Sequence, residues 1–202
     1  YIVSFEWEQV PTWTYRVGGV LLKKEILFDT SIHRIYIRYT LLDAHSATTL
    51  RLRPFLAFRS VRQWTHENGT ANSSYDEVSN GIRMCLYQGY PDLYMQTSQK
   101  AVWNYCPDWY RGLEYPKERE RGYESTEDLL TPGYFEMPIK KGESIIFSAG
   151  IAPIKPKEIS VLLEKERESL DHRDSFYHCL VNAAHQFRVT KDGENYLLAG
   201  YP

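Results

Sequence analysis

Five glutamates fall within one stretch of fourteen residues, and they are the first candidates for chemistry in this chain. Hydrolysis of a glycosidic bond uses two carboxyl groups on either side of the bond, one of them kept protonated as the general acid. The spacing of these five selects no such pair, and a dense run of charges is more typical of a solvated surface. The cluster therefore predicts no catalytic residue. Its members are Glu114, Glu118, Glu120, Glu124 and Glu127.

Aromatic and polar residues make up a second group, one that suits the binding of a sugar. Aromatic residues are 14% of the chain, and flat rings pack well on strands but also stack against the C–H faces of a pyranose. Sugars bind where polar side chains lie beside an aromatic platform. An ordinary place in the core or on the surface is the alternative for each candidate. The candidate carbohydrate-binding residues are Trp103, Trp109, Tyr110, Arg59, His66 and Asn68.

The spacing of histidines and glycines gives no support for metal or cofactor chemistry. His172, His178 and His185 include a spacing of seven residues, too far for shared ligation of one ion on a helix. The chain has no HExxH or CxxC pattern, no nucleophile elbow and no phosphate-binding glycine loop. We therefore expect neither a metal ion nor a cofactor.

Charge and cysteine content narrow the cellular setting. The formal net charge is −2 with acidic and basic residues interspersed, which disfavours a nucleic-acid partner. No stretch of about 18 apolar residues is present, so no membrane-spanning segment is expected. Cys85, Cys106 and Cys179 form no CxxC pair and their number is odd, which favours free thiols in a reducing compartment, the cytoplasm.

Strands must position the candidate residues, because apolar and polar residues alternate over much of the first 151 positions. Val3, Phe5 and Trp7, for example, are separated by polar residues. Short runs of this kind with turn residues between them and no intervening helix predict a mainly β, antiparallel fold, in sandwich or barrel form. Further strands are predicted at Val20 to Phe28, Ile32 to Leu42, Thr48 to Phe58, Ile82 to Gln88, Leu93 to Thr97, Ala101 to Tyr105 and Ser144 to Gly150.

Two segments without periodicity are predicted to be loops. Residues 66–80 are rich in Asn, Ser, Gly and Thr, which is typical of a surface loop. Residues 107–133 are longer and mix charges with aromatics, which favours an ordered loop packed against the sandwich. Arg51 and Arg53 share one face of a strand and are predicted to pair with acids of this loop. The predicted structural motif comprises Arg51, Arg53, Glu114, Arg121 and Asp128.

Helical periodicity replaces the strand pattern after Pro156. Apolar residues between Ile159 and Leu170 fall at spacings of three, four and seven, one stripe of an amphipathic helix. A second helix, capped by Asp174 or Ser175, presents a wider apolar face. We expect two helices, then a turn at residues 191–195 that leads into an apolar end.

Three longer stretches are informative through their order of residues as well as through their periodicity. The first runs Leu50-Arg51-Leu52-Arg53-Pro54-Phe55-Leu56-Ala57-Phe58-Arg59 and continues to His66-Glu67-Asn68. The second runs from Trp109-Tyr110 through Glu114-Tyr115 and Glu120-Arg121-Gly122-Tyr123 to Glu127-Asp128-Leu129 and Pro132-Gly133. The third is Leu198-Ala199-Gly200-Tyr201-Pro202. Together they resemble the bacterial and archaeal glycogen debranching enzymes of the amylo-α-1,6-glucosidase type.

This resemblance implies an N-terminal super-sandwich similar to galactose mutarotase, followed by an (α/α)6 barrel that carries the catalytic acids. It implies a sandwich over residues 1–155, a helical linker over 156–190 and the start of the barrel domain over 191–202. The acids are then expected beyond Pro202 and upstream strands before Tyr1. The expected partners are an α-glucan, either glycogen or a maltooligosaccharide, and the C-terminal catalytic domain of the same protein.

Two other functions fit the same residues. A stand-alone sugar-binding module with this fold would also explain the surplus of aromatic residues. A mutarotase-like epimerase would use His66 with a glutamate as acid and base. The favoured interpretation is the non-catalytic domain that supports the barrel and helps to hold a glucan.

Overall fold

Alternating apolar side chains place most of the chain in antiparallel strands, and the predicted mainly β sandwich is confirmed. The structure is a computed structural model that describes residues 1–61, 63–170, 174–191 and 193–199. Strands make up 48% and helices 15% of the described residues. No helix within these described ranges is long and apolar enough to cross a membrane.

The larger of the two main sheets has eight strands. These strands are β1 (Ile2–Trp7), β2 (Pro11–Val17), β3 (Val20–Asp29), β4 (Arg34–Asp43), β6 (Asp76–Val78), β7 (Gly81–Met84), β8 (Leu93–Thr97) and β11 (Ser144–Gly150). Their order across the sheet is β1-β2-β3-β4-β11-β8-β7-β6. The sheet is thus a meander at one side, and β11 returns from the end of the β region to close on β4.

A smaller sheet of three strands packs on one face of the larger sheet. Its strands are β5 (Thr48–Leu52), β9 (Val102–Glu114) and β10 (Thr126–Ile139), in the order β5-β10-β9. Fully buried residues from both sheets, such as Met137 of β10 and Ile145 of β11, form one core. The rings of Phe135 and Phe147 meet across the layers at a centroid distance of 5.8 Å. This continuous core makes the two sheets a sandwich.

Helix α2 (Ile159–Ser169) covers the opposite face of the larger sheet, as its apolar stripe predicts. Ile159 and Leu163 are buried there against Leu27 and Tyr36. A short 3-10 turn, Pro156–Glu158, leads into the helix. The buried carboxylate of Glu25 accepts a hydrogen bond from Arg38 at 2.9 Å and pairs with Arg167 of α2 at 3.3 Å. Apolar packing and this ionic contact fix the helix on the sheet.

The prediction of a long loop over residues 107–133 is wrong, because most of this segment is a β-hairpin. Strands β9 and β10 are joined by a tip that contains the short helix α1 (Pro116–Glu120). The pairing of β10 with β9 shifts register between Glu127 and Leu129 and again between Thr131 and Gly133. Each shift reverses which face the next side chains take, so the two-residue alternation is lost from the sequence. Trp109 of this segment packs against the main core, as the aromatic residues of the segment indicate.

Smaller differences lie at element ends. The strand predicted to reach Phe58 ends at Leu52, and β6 lies inside the segment predicted as a surface loop. After α2 comes α3 (Phe176–His185), whose N-cap Ser175 accepts a hydrogen bond from the His178 amide at 3.1 Å. The predicted turn near residue 193 joins the two-stranded hairpin β12 (Arg188–Lys191) and β13 (Glu194–Leu197). His172 and residues 200–202 of the third stretch lie outside the described residues.

Gly133 occupies the second register shift of the hairpin because no larger residue fits there. Its φ is 151°, a conformation that side-chain-bearing residues rarely adopt. A Cβ atom at this position would lie 2.1 Å from the carbonyl oxygen of Asn104 in β9. The close approach of the two backbones therefore depends on glycine.

We expect Gly133→Ala to lower the free energy of unfolding by about 3 kcal/mol or more, because the methyl group adds a backbone clash to conformational strain. The matched control is Gly142→Ala, where φ is 84° but nothing lies within 4 Å of the added Cβ. That control should cost only about 1–2 kcal/mol. Urea unfolding of both variants measures the difference, and equal losses would contradict the close approach as the reason for glycine.

Candidate functional site

An open groove of about 1370 Å³ lies where three parts of the chain meet. They are the groove loop (residues 58–61 and 63–68), the turn at residues 87–90, and the hairpin tip (residues 115–124). The aromatic side chains that line the groove are those of Phe58, Trp64, Tyr87, Tyr90, Tyr115 and Tyr123. The polar side chains include those of Arg59, Gln63, His66, Asn68, Glu118, Arg121 and Glu124.

Three of the lining residues bind one fully buried carboxylate, that of Glu127 in β10. Arg59 forms a two-pronged ion pair with it, with Nη2 of Arg59 3.0 Å from Oε2 of Glu127. The Tyr115 hydroxyl donates to Oε2 at 2.7 Å and the Thr65 amide to Oε1 at 3.2 Å. Burial alone would raise the pKa of Glu127, but these hydrogen bonds outweigh it and hold the pKa below its ordinary value.

The same residues build an aromatic platform. The rings of Trp64 and Tyr115 stack with centroids 4.7 Å apart and planes 18° from parallel. The guanidinium of Arg59 lies 4.7 Å from the centre of the Trp64 ring, within range of a cation–π interaction. Because Glu127 holds both Arg59 and Tyr115, the carboxylate also fixes the indole between the groove loop and the hairpin tip.

A second carboxylate, Asp128, attaches the groove loop to the hairpin through main-chain contacts. Asp128 accepts hydrogen bonds from the amide of Glu67 at 3.0 Å and from that of Gly112 at 2.8 Å. The Asp128 amide donates to the Thr65 carbonyl at 2.7 Å. These backbone hydrogen bonds lower the pKa of Asp128, and Arg111 extends the attachment by pairing with Glu67.

Phe58 turns the chain out of the sandwich and into the groove. Its φ of 36° lies in the left-handed region, which is strained for a bulky residue. Its side chain packs against the main core and lies 6.1 Å from the ring of Tyr90. Apolar contact therefore compensates the strain, and the turn directs the next residue, Arg59, back toward Glu127.

Comparison with known protein families identifies the chain. The family described as glycogen debranching enzyme N terminal matches residues 1–146. The chain belongs to this family. The match covers the whole groove and almost all of the sandwich, and it confirms the resemblance seen in the sequence. No curated protein matches the chain.

Three of the sequence candidates for sugar binding in this debranching-enzyme domain lie together in the groove. Arg59 and His66 are held by carboxylates, as are the loop amides near them. Asn68 donates from Nδ2 to the His66 carbonyl at 2.8 Å and to the Tyr87 hydroxyl at 2.9 Å. Its Oδ1 accepts from the amide of Thr70 at 3.1 Å, which closes a local turn. These three residues shape the groove, and most of their hydrogen bonds are made to other residues of the protein.

The other three candidates lie outside the groove lining. Trp103 of β9 faces the core, where its ring is 4.6 Å from that of Phe135, and its Nε1 has no hydrogen-bond partner among the described residues. Trp109 also packs against this core. Tyr110 points to the other side of β9 and meets the ring of Phe55 edge-on at 4.6 Å. The pairing of β9 with β10 fixes these directions, which the sequence pattern alone did not reveal.

The predicted pairing of Arg51 and Arg53 with acids of residues 107–133 needs correction. Both guanidinium groups lie over the ring of Tyr134, at 4.4 and 5.2 Å, so the two arginines do share a face. Arg51 pairs with Glu136, which lies directly opposite it in β10. Strand β5 meets only the far end of β10, and the acidic tip is therefore out of reach.

The acids of the hairpin tip pair with bases instead. Glu114 pairs with Arg119, Glu118 with Arg121 and Glu120 with Lys117. Arg121 also lies 5.3 Å from the ring centre of Tyr123. These three glutamates pair with bases of their own segment, as a solvated charge run predicts, whereas Glu124 pairs with His66 and Glu127 is buried. No group of three metal-ligating residues occurs in the described part of the chain.

Trp64 and Tyr90 are groove residues that no sequence motif singles out, and Glu127 is one of five glutamates in a charged run. Trp64 directly precedes Thr65-His66, and Tyr87 and Tyr90 flank Gly89 in a turn. Aromatics beside turn residues, rather than within strands, were the signal available. Nothing in the sequence marked Glu127 as buried.

We expect Glu127→Gln to lower the free energy of unfolding by about 3 kcal/mol at neutral pH, because it leaves Arg59 without its charged partner. The folded-state pKa of Glu127 is lowered from 4.5, so its stabilising effect is complete above that pH and is lost as the pH falls through the folded-state pKa. The difference between wild type and variant should therefore shrink in acid. Denaturant unfolding at several pH values measures this difference.

Glu136→Gln is the control for this experiment. Its pair with Arg51 is 3.4 Å long and both side chains are partly exposed, so the change should cost less than about 1 kcal/mol. A loss as small for Glu127→Gln would contradict the central place of the buried carboxylate.

Proposed function

We propose that this chain is a non-catalytic domain that holds an α-glucan, glycogen or a maltooligosaccharide, in the groove beside its catalytic domain. The observation that carries the proposal is the lining of the groove. Tyr90 and Tyr123 expose 41% and 62% of their surface there, close to a rigid platform of Trp64 and Tyr115. Aromatic faces beside hydrogen-bonding groups suit the alternating C–H and hydroxyl surfaces of a glucan.

The groove residues divide into a framework and a ligand-facing set. Arg59, Thr65 and Tyr115 are committed to Glu127 and form the framework. The exposed rings of Tyr90 and Tyr123 provide the stacking surfaces, and Gln63 and Arg121 extend polar groups into the same groove. A rigid framework lowers the entropy lost when a flexible sugar chain binds, because the protein side is already ordered.

The acid–base properties of the groove favour binding over catalysis. A general acid for glycoside hydrolysis needs a raised pKa, whereas the pKa of Glu127 is lowered. The epimerase alternative needs a histidine with a nitrogen available to the substrate. Both ring nitrogens of His66 face carboxylates, those of Glu124 and Asp128. We therefore assign the hydrolytic acids to the catalytic domain of the debranching enzyme.

The C-terminal part of the chain is the surface that we propose contacts the catalytic domain. Phe176 and Tyr177 of α3 are 80% and 70% exposed, and Leu197 of β13 is 80% exposed. Large apolar residues exposed on adjacent positions of a helix, such as Phe176 and Tyr177, are typical of an interface. This supports the division into a sandwich over residues 1–155, a helical linker over 156–190 and the first residues of the barrel domain over 191–202. It also favours the supporting domain over a stand-alone sugar-binding module.

We place the protein in the cytoplasm and expect it to need no cofactor. Cys106 is exposed, and no disulfide joins the three cysteines, an arrangement that suits a reducing compartment. Glucan binding through stacking and hydrogen bonds requires neither a metal ion nor an organic group.

Tyr123→Ala and Tyr90→Ala should each weaken binding of maltoheptaose about fivefold, because each removes one stacking contact worth about 1 kcal/mol. Calorimetric titration of the 202-residue chain measures the affinity. Tyr110→Ala is the matched control, since Tyr110 is 41% exposed like Tyr90 but lies outside the groove lining, and it should leave the affinity unchanged. Absence of binding by the wild type, or equal loss in the control, would refute the groove as the glucan site.

A further inference from the structure

His66 lies between two carboxylates that belong to different elements. It is part of the groove loop, and its Nε2 lies 3.1 Å from Oε1 of Glu124 on the hairpin tip. Its Nδ1 lies 3.7 Å from Oδ2 of Asp128 in β10. The imidazole and Glu124 both line the groove, so this contact joins the groove loop and the hairpin tip directly.

The protonation state of His66 decides whether both contacts are attractive. An imidazolium carries two N–H groups and can donate toward both carboxylates. A neutral imidazole carries one, so its other nitrogen presents a lone pair to a negative charge. The hydrogen bond with Glu124, aided by the charge of Asp128, accordingly raises the pKa of His66 above 6.5.

The two carboxylates differ in their freedom to respond. Asp128 is held by the amides of Glu67 and Gly112 and belongs to a paired strand. Glu124 belongs to the hairpin tip, outside the paired residues of β9 and β10. Loss of the proton from His66 therefore removes an attraction on the Glu124 side chain, while the backbone contacts of Asp128 remain.

The other charged groups around His66 are paired with one another. On its own loop Glu67 binds Arg111 of β9, and on the tip Glu118 binds Arg121. Glu127 of β10 binds Arg59. Among the described residues, the groups that act on the imidazole are thus Glu124 and Asp128.

We propose that His66 is a pH-sensitive latch that fixes the hairpin tip against the groove loop and so tightens the groove around its ligand. The latch is closed below the folded-state pKa of His66 and opens as the pH rises through it. Tyr123 directly precedes Glu124, so the latch also positions one of the stacking rings. The inference rests on the groove being the glucan site, and it adds regulation of that site by pH.

The first experiment needs no ligand. Amide chemical shifts of Gly122 and Tyr123 in the free 202-residue chain should titrate together with the His66 ring. In His66→Gln these tip amides should lose that titration, because glutamine cannot gain the charge. Tip amides that ignore the ring titration in the wild type, or keep it in the variant, overturn the latch.

The second experiment measures maltoheptaose affinity at pH 5.5 and 8.5 at constant ionic strength. The wild-type Kd should rise about two- to fivefold with pH, the range expected for one exposed ion pair. His66→Gln should bind equally at both pH values, with the Kd of the wild type at pH 8.5. The control is His178→Gln, which removes a histidine paired with Asp174 at 2.5 Å in α3 and should keep the wild-type rise.

The two experiments separate the latch from the glucan site. If no sugar binds at either pH but the tip amides follow His66, the proposed glucan site fails and the latch stands. If sugar binds and its Kd is independent of pH, or His66→Gln keeps the wild-type rise, the latch is overturned and the glucan site stands.

Discussion

The buried carboxylate of Glu127 is the constraint from which the groove follows. A fully buried charge must be paired and hydrogen-bonded, and its partners come from distant parts of the chain. Arg59 and Thr65 reach it from the groove loop, and Tyr115 reaches it from the hairpin tip. The contacts of Asp128 also attach this loop to the hairpin. Glu127 adds the side-chain contacts that order Arg59 and Tyr115 around the Trp64 ring.

The sequence predicted well those elements whose side-chain periodicity is uninterrupted. The strands β3 and β4 lie within two residues of their predicted ranges, and the apolar stripe of α2 packs on the sheet as its spacing predicts. The hairpin of β9 and β10 was not predicted, because two register shifts reverse the alternation within it. Local pattern carries no information about such a shift, which is fixed by the partner strand.

The candidate site was predictable in part for a related reason. Residue type and neighbourhood were enough to select Arg59, His66 and Asn68, which all line the groove. The same grounds predict Trp103 as a sugar-binding residue, but it faces the core, because the direction of a strand residue depends on its register. Glu127 looked like its exposed neighbours in the sequence. Its burial arises only when the groove loop folds back over β10.

The eight strands of the larger sheet extend beyond the three that cover them. Phe5, Trp13 and Lys24 lie side by side across β1, β2 and β3, on the face that leads to the buried Ile145. There the rings of Phe5 and Trp13 contact each other at 5.0 Å, and the Lys24 ammonium lies 5.9 Å from the Trp13 ring centre. The Phe5–Trp13 ring contact and the Lys24 side chain thus partly shield this face of β1 to β3, beyond the part that the three-stranded sheet covers within the described residues.

Opposite charges at the groove make the groove loop and residues 114–127 depend on each other. Residues 114–127 hold five acids but only three bases, and the groove loop supplies the two missing cations, Arg59 and His66. With His66 protonated, each of these five acids is paired with one base. A hairpin transferred to another sandwich without the groove loop would therefore leave Glu124 and Glu127 without their basic partners. During divergence, a charge gained on either side calls for a compensating change on the other.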